Sequence, residues 1–144
     1  MHSSYSAYLQ NLSIPALNPM QEAFLAKPLD SQHLMLLSPT GSGKTLAFLL
    51  RMLAELEEEK KGIQAIIIAP ARELVLQIED VLRKMKTGYN VCVCYGGHHS
   101  RTEQNRLAEG PAIVIGTPGR LSDHIQKGTI DAYTVKMVVL DEFD

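Results

Sequence analysis

Short apolar runs alternate with longer segments of helical period along the sequence, and this pattern restricts the possible folds. The apolar runs are each about one strand long and rich in Ile, Val or Leu, and they cover residues 33–38, 64–69, 90–95, 112–117 and 135–141. Apolar residues recur at helical spacing in residues 43–61, 71–86, 101–108 and 119–126, and Asn18-Pro19 is a typical helix start. Near-continuous apolar strands are typical of sheets covered on both faces. The order therefore predicts an α/β fold with a parallel sheet flanked by helices.

Length, charge and cysteine content exclude several classes of protein. The 144 residues suit one domain, and 45% of them are hydrophobic, which excludes intrinsic disorder. The net charge of −2 excludes a polybasic nucleic-acid binder, so any polyanion site must be local. The chain has neither a secretory signal nor the roughly 20 apolar residues of a membrane span. Cys92 and Cys94 are too close for a good disulfide, so a reducing compartment is expected. Together these observations predict a soluble, cytoplasmic protein.

A glycine-rich loop follows the first apolar run and precedes a predicted helix. Its sequence is Ser38-Pro39-Thr40-Gly41-Ser42-Gly43-Lys44-Thr45, with Ser38 where the usual pattern has Gly. Glycines allow successive N–H groups to face one anion, and the start of the helix adds a partial positive charge. Lys44 is expected to reach the β- and γ-phosphates of a nucleotide, and the Thr45 hydroxyl to bind Mg²⁺. The alternative is a glycine-rich turn with a solvated Lys44.

Two adjacent carboxylates follow the last apolar run, in Asp141-Glu142-Phe143-Asp144. At the end of a strand, Asp141 can hold Mg²⁺, partly through water, while Glu142 orients or deprotonates an attacking water molecule. The alternative is a solvated acidic segment.

Three cations are predicted in or beside the first turn of a helix: Lys44, Arg72 and Arg120. The helix macrodipole disfavours a cation there by a few tenths to about 1 kcal/mol, which suggests that anions bind nearby. We expect nucleotide phosphates at Lys44 and a second polyanion at the two arginines, with neutral donors from Gly96-Gly97 and Thr117. The alternatives are a carboxylate partner for Arg72, and a Thr117 that serves only as a helix cap with Pro118 as the first helical residue.

These motifs, in this order, resemble the N-terminal RecA-like domain of DEAD-box ATP-dependent RNA helicases over nearly the whole chain. The matching segments are Gln21 before the first run, Gly-Ser-Gly-Lys-Thr, Pro-Ala-Arg-Glu-Leu, Gly-Gly, Thr-Pro-Gly-Arg and Asp-Glu-Phe-Asp. The resemblance implies a P-loop NTPase fold, ATP and Mg²⁺ as ligands, and unwinding of short RNA duplexes driven by ATP hydrolysis. It also implies a second RecA-like domain in the parent chain.

The resemblance also implies a role for each motif residue. Lys44, Asp141 and Glu142 would be catalytic, Thr45 and Asp141 would bind Mg²⁺, and Asp144 would couple the nucleotide site to later motifs. Gln21 would select adenine. The residues implied to bind the nucleotide are Gln21, Ser38, Thr40, Gly41, Ser42, Gly43, Lys44 and Thr45. Those implied to line the RNA backbone, without reading its sequence, are Pro70, Arg72, Gly97, Thr117, Gly119 and Arg120.

Several alternatives stay open from the sequence. Gln21 also has a structural explanation, because with Asn18 as cap it occupies the position that closes a capping box. A related DNA helicase or translocase, or a non-catalytic nucleotide- or RNA-binding module, would carry similar motifs. Residues 1–144 are expected to be a partial domain, incomplete at the C-terminus. Beside the Asp-Glu strand, the sheet is expected to have a gap, to fill it with a partner, or to continue in a longer chain. On its own, the chain is expected to be inactive or very weak as an ATPase.

Two cysteines and two histidines suggest a metal cluster at Cys92, Cys94, His98 and His99. The Cys-x-Cys spacing is narrower than structural zinc sites usually have. We therefore predict no zinc there.

Overall fold

The computed structural model describes residues 2–28, 33–97 and 99–142, with side chains from Tyr5 onward. Its helices are α1 (His2–Asn11), α2 (Pro19–Leu25), α3 (Lys44–Glu55), α4 (Arg72–Met85), α5 (Ser100–Ala108), α6 (Pro118–Lys127) and a short 3-10 helix (Ala132–Thr134). Its strands are β1 (Ala65–Ile68), β2 (Val91–Cys94), β3 (Ile113–Gly116) and β4 (Met137–Leu140). The chain divides into two compact units: Met1–Leu56 with Val81–Thr87, and Glu57–Asp80 with Gly88–Asp144.

The second unit contains a parallel four-stranded sheet in the order β2-β3-β1-β4. Its register pairs Gly116 with both Ile68 and Cys94, and Ile68 with Leu140, so the carboxyl ends of all four strands lie level. Helices separate consecutive strands along the chain, as the alternating pattern predicted. The α/β fold and four of the five predicted strands are therefore confirmed.

The strand predicted over residues 33–38 is wrong. This segment of the first unit has no strand assignment, and Met35 and Leu37 expose 70% and 78% of their surface. An apolar composition favours extended backbone, but a strand also needs a neighbour that satisfies its N–H and C=O groups. No such pairing involves residues 33–38 in the part of the chain that the structure describes.

Strand β4 forms one edge of the sheet and is not covered on both faces. Its side chains alternate between half-buried and exposed, and Val138 and Leu140 each expose 56% of their surface. Coverage on both faces, expected for all strands, is therefore wrong for β4. The Asp-Glu strand is therefore an edge strand of this sheet.

One helix prediction also needs correction, and one helix was not predicted. α3 ends at Glu55, whereas its pattern predicted a helix to residue 61. Beyond it, the buried Gln64 side chain accepts a hydrogen bond from the Glu57 N–H at 2.9 Å and donates one to the Glu57 carbonyl at 2.8 Å, which holds this segment as a loop. α1 was not predicted, because its polar sequence has little helical periodicity.

A compact apolar cluster supports the sheet of the second unit. Its buried members are Ile63, Ile66, Cys92, Cys94, Leu107, Val114, Leu121 and Ile130. This cluster includes side chains from three strands, α5 and α6, so it fixes the helices against the strands whose ends carry the candidate residues. Among the described residues, no helix is both long and apolar enough to cross a membrane.

Candidate phosphate loop and sheet-edge site

The phosphate loop, residues 38–45, has the backbone geometry that an anion cradle requires. Gly41 and Gly43 adopt φ values of +81° and +90°, which side chains rarely allow. Gly43 is the N-cap of the 12-residue helix α3, and no side chain caps this helix start. Lys44 is the first residue of the helix and Thr45 the second. The N–H groups of the first turn, with the partial positive charge of the helix start, can therefore donate hydrogen bonds to a phosphate.

Hydrogen bonds within the first unit hold this loop in place. The Ser38 hydroxyl donates to the Ser42 hydroxyl at 2.6 Å, so the residue that replaces the usual Gly ties the start of the loop to its middle. The Asn18 amide donates to the Ser42 carbonyl at 2.9 Å, and the Gln21 amide to the Gly43 carbonyl at 3.1 Å. The start of α2 thus supports the loop from one side.

Gln21 forms the capping box that the sequence offered as its structural explanation. Its N–H donates to the Asn18 side chain, and its own side-chain oxygen accepts from the Asn18 N–H, both at 2.9 Å. The Gln21 side chain is buried, and both of its polar atoms bind protein groups. The structural role is therefore confirmed, and adenine selection stays a prediction.

Substituting Gly43 tests whether this loop geometry binds the nucleotide. A Cβ at Gly43 would lie 2.5 Å from the Gln21 amide nitrogen, in addition to the strain of φ +90°. We expect Gly43→Ala to destabilise the chain by about 1–3 kcal/mol and to weaken ATP binding. Denaturant unfolding and nucleotide titration measure the two effects.

Gly41→Ala is the matched control. Gly41 also has a positive φ, but an added Cβ would meet nothing within 4 Å. It therefore carries the backbone strain without the contact to Gln21. Equal losses of stability and of ATP affinity in the two variants would contradict a specific role for the contact between Gly43 and Gln21.

In the second unit, candidate residues lie at the carboxyl ends of the four strands, on the side of the sheet that we call the carboxyl edge. It comprises the residues that directly follow β1 to β4, namely 69–72, 95–97, 117–120 and 141–142. Backbone hydrogen bonds continue the ladder into this edge: the Asp141 N–H donates to the Ile68 carbonyl at 2.9 Å, and the Thr117 N–H to the Cys94 carbonyl at 3.0 Å. Glu142 is exposed and adopts φ +51°.

Arg72, the first residue of α4, packs on an aromatic ring. Its guanidinium carbon lies 5.3 Å from the centre of the Tyr95 ring, which is cation–π geometry. A Cβ added to Gly97 would lie 3.9 Å from an Arg72 terminal nitrogen, so the arginine also borders the glycine pair. The described partner of Arg72 is thus the Tyr95 ring. The alternative to RNA binding in the sequence analysis was a carboxylate partner.

Thr117 and Arg120 lie on the start of α6. Thr117 is the N-cap residue and Pro118 the first helical residue, yet the Thr117 hydroxyl makes no capping bond. Arg120 donates through Nε to Glu103 Oε1 at 2.7 Å. Both arginines at the carboxyl edge therefore have defined partners within the second unit.

The sequence did not indicate a role for Tyr95, which belongs to the carboxyl edge, or for Glu103 and His124, which lie outside it on α5 and α6. Tyr95 had a usable signal, because it is an aromatic residue between a strand and a glycine pair. Glu103 and His124 had none, since each lies in a polar segment of a short helix. Both are fully buried in the structure, with 2.7 Å between Glu103 Oε1 and His124 Nε2.

Cys94 lies near Glu103 and His124, which were not part of the cluster suggested by the sequence. The atoms of Cys94, Glu103 and His124 that could bind a metal ion lie within 4.8 Å of one another. The hydrogen bond to Cys92, together with burial, raises the pKa of the Cys94 thiol, so it stays neutral. The 2.7 Å between Glu103 and His124 is a hydrogen-bond distance. His99 is exposed, and His98 lies outside the described residues.

A phosphate loop at the start of a helix, in a chain with a parallel sheet, defines an α/β nucleotide-binding protein of the phosphate-loop class. Residues 18–144 match the family described as DEAD/DEAH box helicase. The chain therefore belongs to this family.

Two bacterial relatives illustrate the match. The chain is 38% identical over 139 residues to ATP-dependent RNA helicase DeaD of Escherichia coli K12, covering 94% of this chain and 22% of that protein. It is 39% identical over 128 residues to ATP-dependent RNA helicase CshA of Listeria monocytogenes, covering 88% of this chain and 25% of that protein. The chain thus spans about a quarter or less of the length of these relatives.

Solved structures agree with the fold. A hypothetical ATP-dependent RNA helicase from Sulfolobus tokodaii superimposes with a TM-score of 0.85 at 27% identity, over 99% of this chain and 41% of that one. The yeast DEAD-box splicing factor Prp28 gives a TM-score of 0.81 at 30% identity, over 93% of this chain and 34% of that one. These likenesses confirm the predicted fold class.

Proposed function

We propose that residues 1–144 are the N-terminal RecA-like domain of an ATP-dependent RNA helicase, which couples ATP hydrolysis to RNA duplex unwinding together with a second RecA-like domain. The observation that carries the proposal is the uncapped start of α3 behind two glycines of positive φ, in a chain of the helicase family. The relatives named above as ATP-dependent RNA helicases support the same activity for the whole protein.

The phosphate loop supplies the nucleotide-binding part of this function. The backbone N–H groups at its end would hold phosphate oxygens, and Lys44 would bind the β- and γ-phosphates as a point charge. The remaining residues of the loop and Gln21 would shape the nucleotide site; they are Ser38, Thr40, Gly41, Ser42, Gly43 and Thr45. Gln21 would add selectivity for adenine beyond its confirmed role as a cap.

The donor chemistry of Thr45 and Asp141 fits Mg²⁺, which prefers hydroxyl, carboxylate and water oxygens. When bound, Mg²⁺ neutralises charge on the phosphate oxygens. The backbone bond from Asp141 to Ile68 fixes the strand end that carries this carboxylate. Glu142, exposed beside it, would orient or deprotonate the attacking water. Asp144 lies outside the described residues, and its coupling role stays a prediction.

The carboxyl edge would bind the RNA backbone. Arg72 and Arg120 would supply the charge, and the neutral members would contact phosphate or sugar; these are Pro70, Gly97, Thr117 and Gly119. Backbone contacts of this kind carry no sequence information, so binding would be independent of RNA sequence. We further infer a cytoplasmic location, since the two cysteines are free, buried thiols.

Substituting the two arginines in the whole protein tests the RNA-binding proposal. We expect Arg72→Ala and Arg120→Ala each to weaken binding to single-stranded RNA uniformly across sequences. Each should also lower the magnitude of the slope of log affinity against log salt by about 0.7, because one fewer phosphate of the single strand is neutralised. Fluorescence anisotropy over a salt series measures this slope.

Arg106→Ala is the control for this experiment. Arg106 is exposed, lies in the last turn of α5 and is not one of the residues that directly follow the strands. Its loss should leave the salt slope unchanged. An equal effect of all three substitutions would mean that general charge, and not the carboxyl edge, binds RNA.

A further inference from the structure

The two arginines of the carboxyl edge are held by different kinds of group. Arg120 donates through Nε to the Glu103 carboxylate at 2.7 Å and exposes 19% of its side chain. Arg72 is exposed, and its guanidinium carbon lies over the Tyr95 ring, 5.3 Å from the ring centre. No carboxylate pairs with Arg72 in the part of the chain that the structure describes. An aromatic ring is therefore the group that holds this arginine.

Tyr95 itself is anchored through its backbone. It is half-buried and directly follows β2, whose last residue, Cys94, accepts a hydrogen bond from the Thr117 N–H at 3.0 Å. The Tyr95 N–H donates to Glu103 Oε2 at 3.0 Å, and the Glu103 side chain is fully buried. Hydrogen bonds to an ionised acceptor are stronger than those between neutral groups. The residue that carries the ring is therefore fixed between a strand and a buried side chain.

An aromatic partner leaves the arginine able to bind an anion. A guanidinium has a permanent charge and five N–H donors. A carboxylate neutralises the charge and occupies donors, as Glu103 does at Arg120, whereas the face of a ring attracts the cation without neutralising it. The charge that a phosphate needs therefore stays available on Arg72.

An arginine that is already held loses less freedom when it binds a phosphate. The side chain of arginine has several rotatable bonds, and fixing them on binding costs conformational entropy. Contact with the Tyr95 ring restricts the Arg72 side chain before any ligand binds. This contact therefore lowers the entropic cost of binding a phosphate at the carboxyl edge.

We propose that Tyr95 is the positioning residue for Arg72, because its ring holds the guanidinium at the carboxyl edge, where Arg72 binds an RNA phosphate. The inference rests on the proposed function, since it takes Arg72 as an RNA contact. Tyr95 acts through the arginine and does not itself have to contact RNA. The alternative is a ring that stacks directly on an RNA base.

The RNA affinity of two Tyr95 variants of the whole protein tests the positioning role. Tyr95→Leu removes the ring but keeps an apolar side chain. We expect it to bind single-stranded RNA about two- to five-fold more weakly, which corresponds to the loss of an exposed cation–π contact. Tyr95→Phe keeps the ring and should restore the affinity of the wild type. Unchanged affinity in Tyr95→Leu, or an equal loss in both variants, would overturn the proposal.

Combining Tyr95→Leu with Arg72→Ala separates positioning from direct stacking on RNA. If the ring acts through Arg72, Tyr95→Leu has no further effect once the arginine is absent. A further loss of two-fold or more would mean that Tyr95 acts independently of Arg72, and would overturn the proposal. Tyr133→Leu is the matched control, because it makes the same change at a fully exposed tyrosine, and it should leave RNA affinity unchanged.

Proton–nitrogen NMR of the arginine side chains in this chain tests the contact itself and needs no RNA. The ring current of Tyr95 should move the Arg72 Nε–H proton signal upfield of those of exposed arginines such as Arg101 and Arg106. Arg72 is assigned through bonds from its backbone in the wild type, so the measurement does not depend on a variant that folds. An Arg72 signal at the position of the other two would overturn the proposal. If the wild-type whole protein binds no RNA, the proposed function fails, while this measurement still decides whether the ring holds the arginine.

Discussion

Glu142→Gln in the whole protein is expected to abolish nearly all RNA-stimulated ATP hydrolysis while ATP binding is retained. A carboxamide has the same shape as the carboxylate but cannot accept the proton of the attacking water, and such a base contributes about 10²–10⁴-fold to rate. Glu142 is exposed, so the exchange should not change the free energy of unfolding. Steady-state hydrolysis and nucleotide titration measure the two parts.

Glu59→Gln is the matched control, because it makes the same chemical change at an exposed residue of the loop that follows α3. It should leave both hydrolysis and binding unchanged. Full activity in Glu142→Gln would contradict the catalytic role and favour a non-catalytic binding module.

Lys44→Ala is expected to weaken ATP binding by about 10- to 100-fold, since charged hydrogen bonds contribute about 1.5–3 kcal/mol. The same change should not destabilise the chain. Lys44 is the first residue of α3, where the helix macrodipole disfavours a cation, so its removal relieves a small repulsion. Nucleotide titration and denaturant unfolding therefore separate a binding role from a structural one.

Lys61→Ala provides the comparison for this prediction, because Lys61 is an exposed lysine outside any helix. Its removal should leave ATP affinity unchanged. A Lys44→Ala variant that binds ATP like wild type would contradict the phosphate role and favour the alternative of a solvated lysine.

Local sequence patterns predicted the features that depend on residues close together in the chain. The capping box of Asn18 and Gln21 follows from residues three apart, and the structure has both of its hydrogen bonds. Five strands were predicted from continuous apolar runs, which buried strands need, and four of them are present. The same pattern failed over residues 33–38, because pairing depends on a neighbour that an apolar run does not provide.

The missed features depend on contacts between residues far apart in the chain. α3 ends before its pattern does, and the loop beyond it is held by the side chain of Gln64, seven residues after Glu57. Glu103 meets Arg120 and His124 from positions 17 and 21 residues away. Neither periodicity nor a motif marks a buried carboxylate in a polar helix, so only the folded chain shows which side chains it binds.

We propose that the whole protein hydrolyses ATP in response to RNA. The most direct test is the rate of ATP hydrolysis by the whole protein alone, with single-stranded RNA, and with single-stranded DNA of the same sequence. We predict low hydrolysis without nucleic acid, strong stimulation by RNA and little by DNA. Stimulation by DNA equal to that by RNA, or none by either, would contradict the claim.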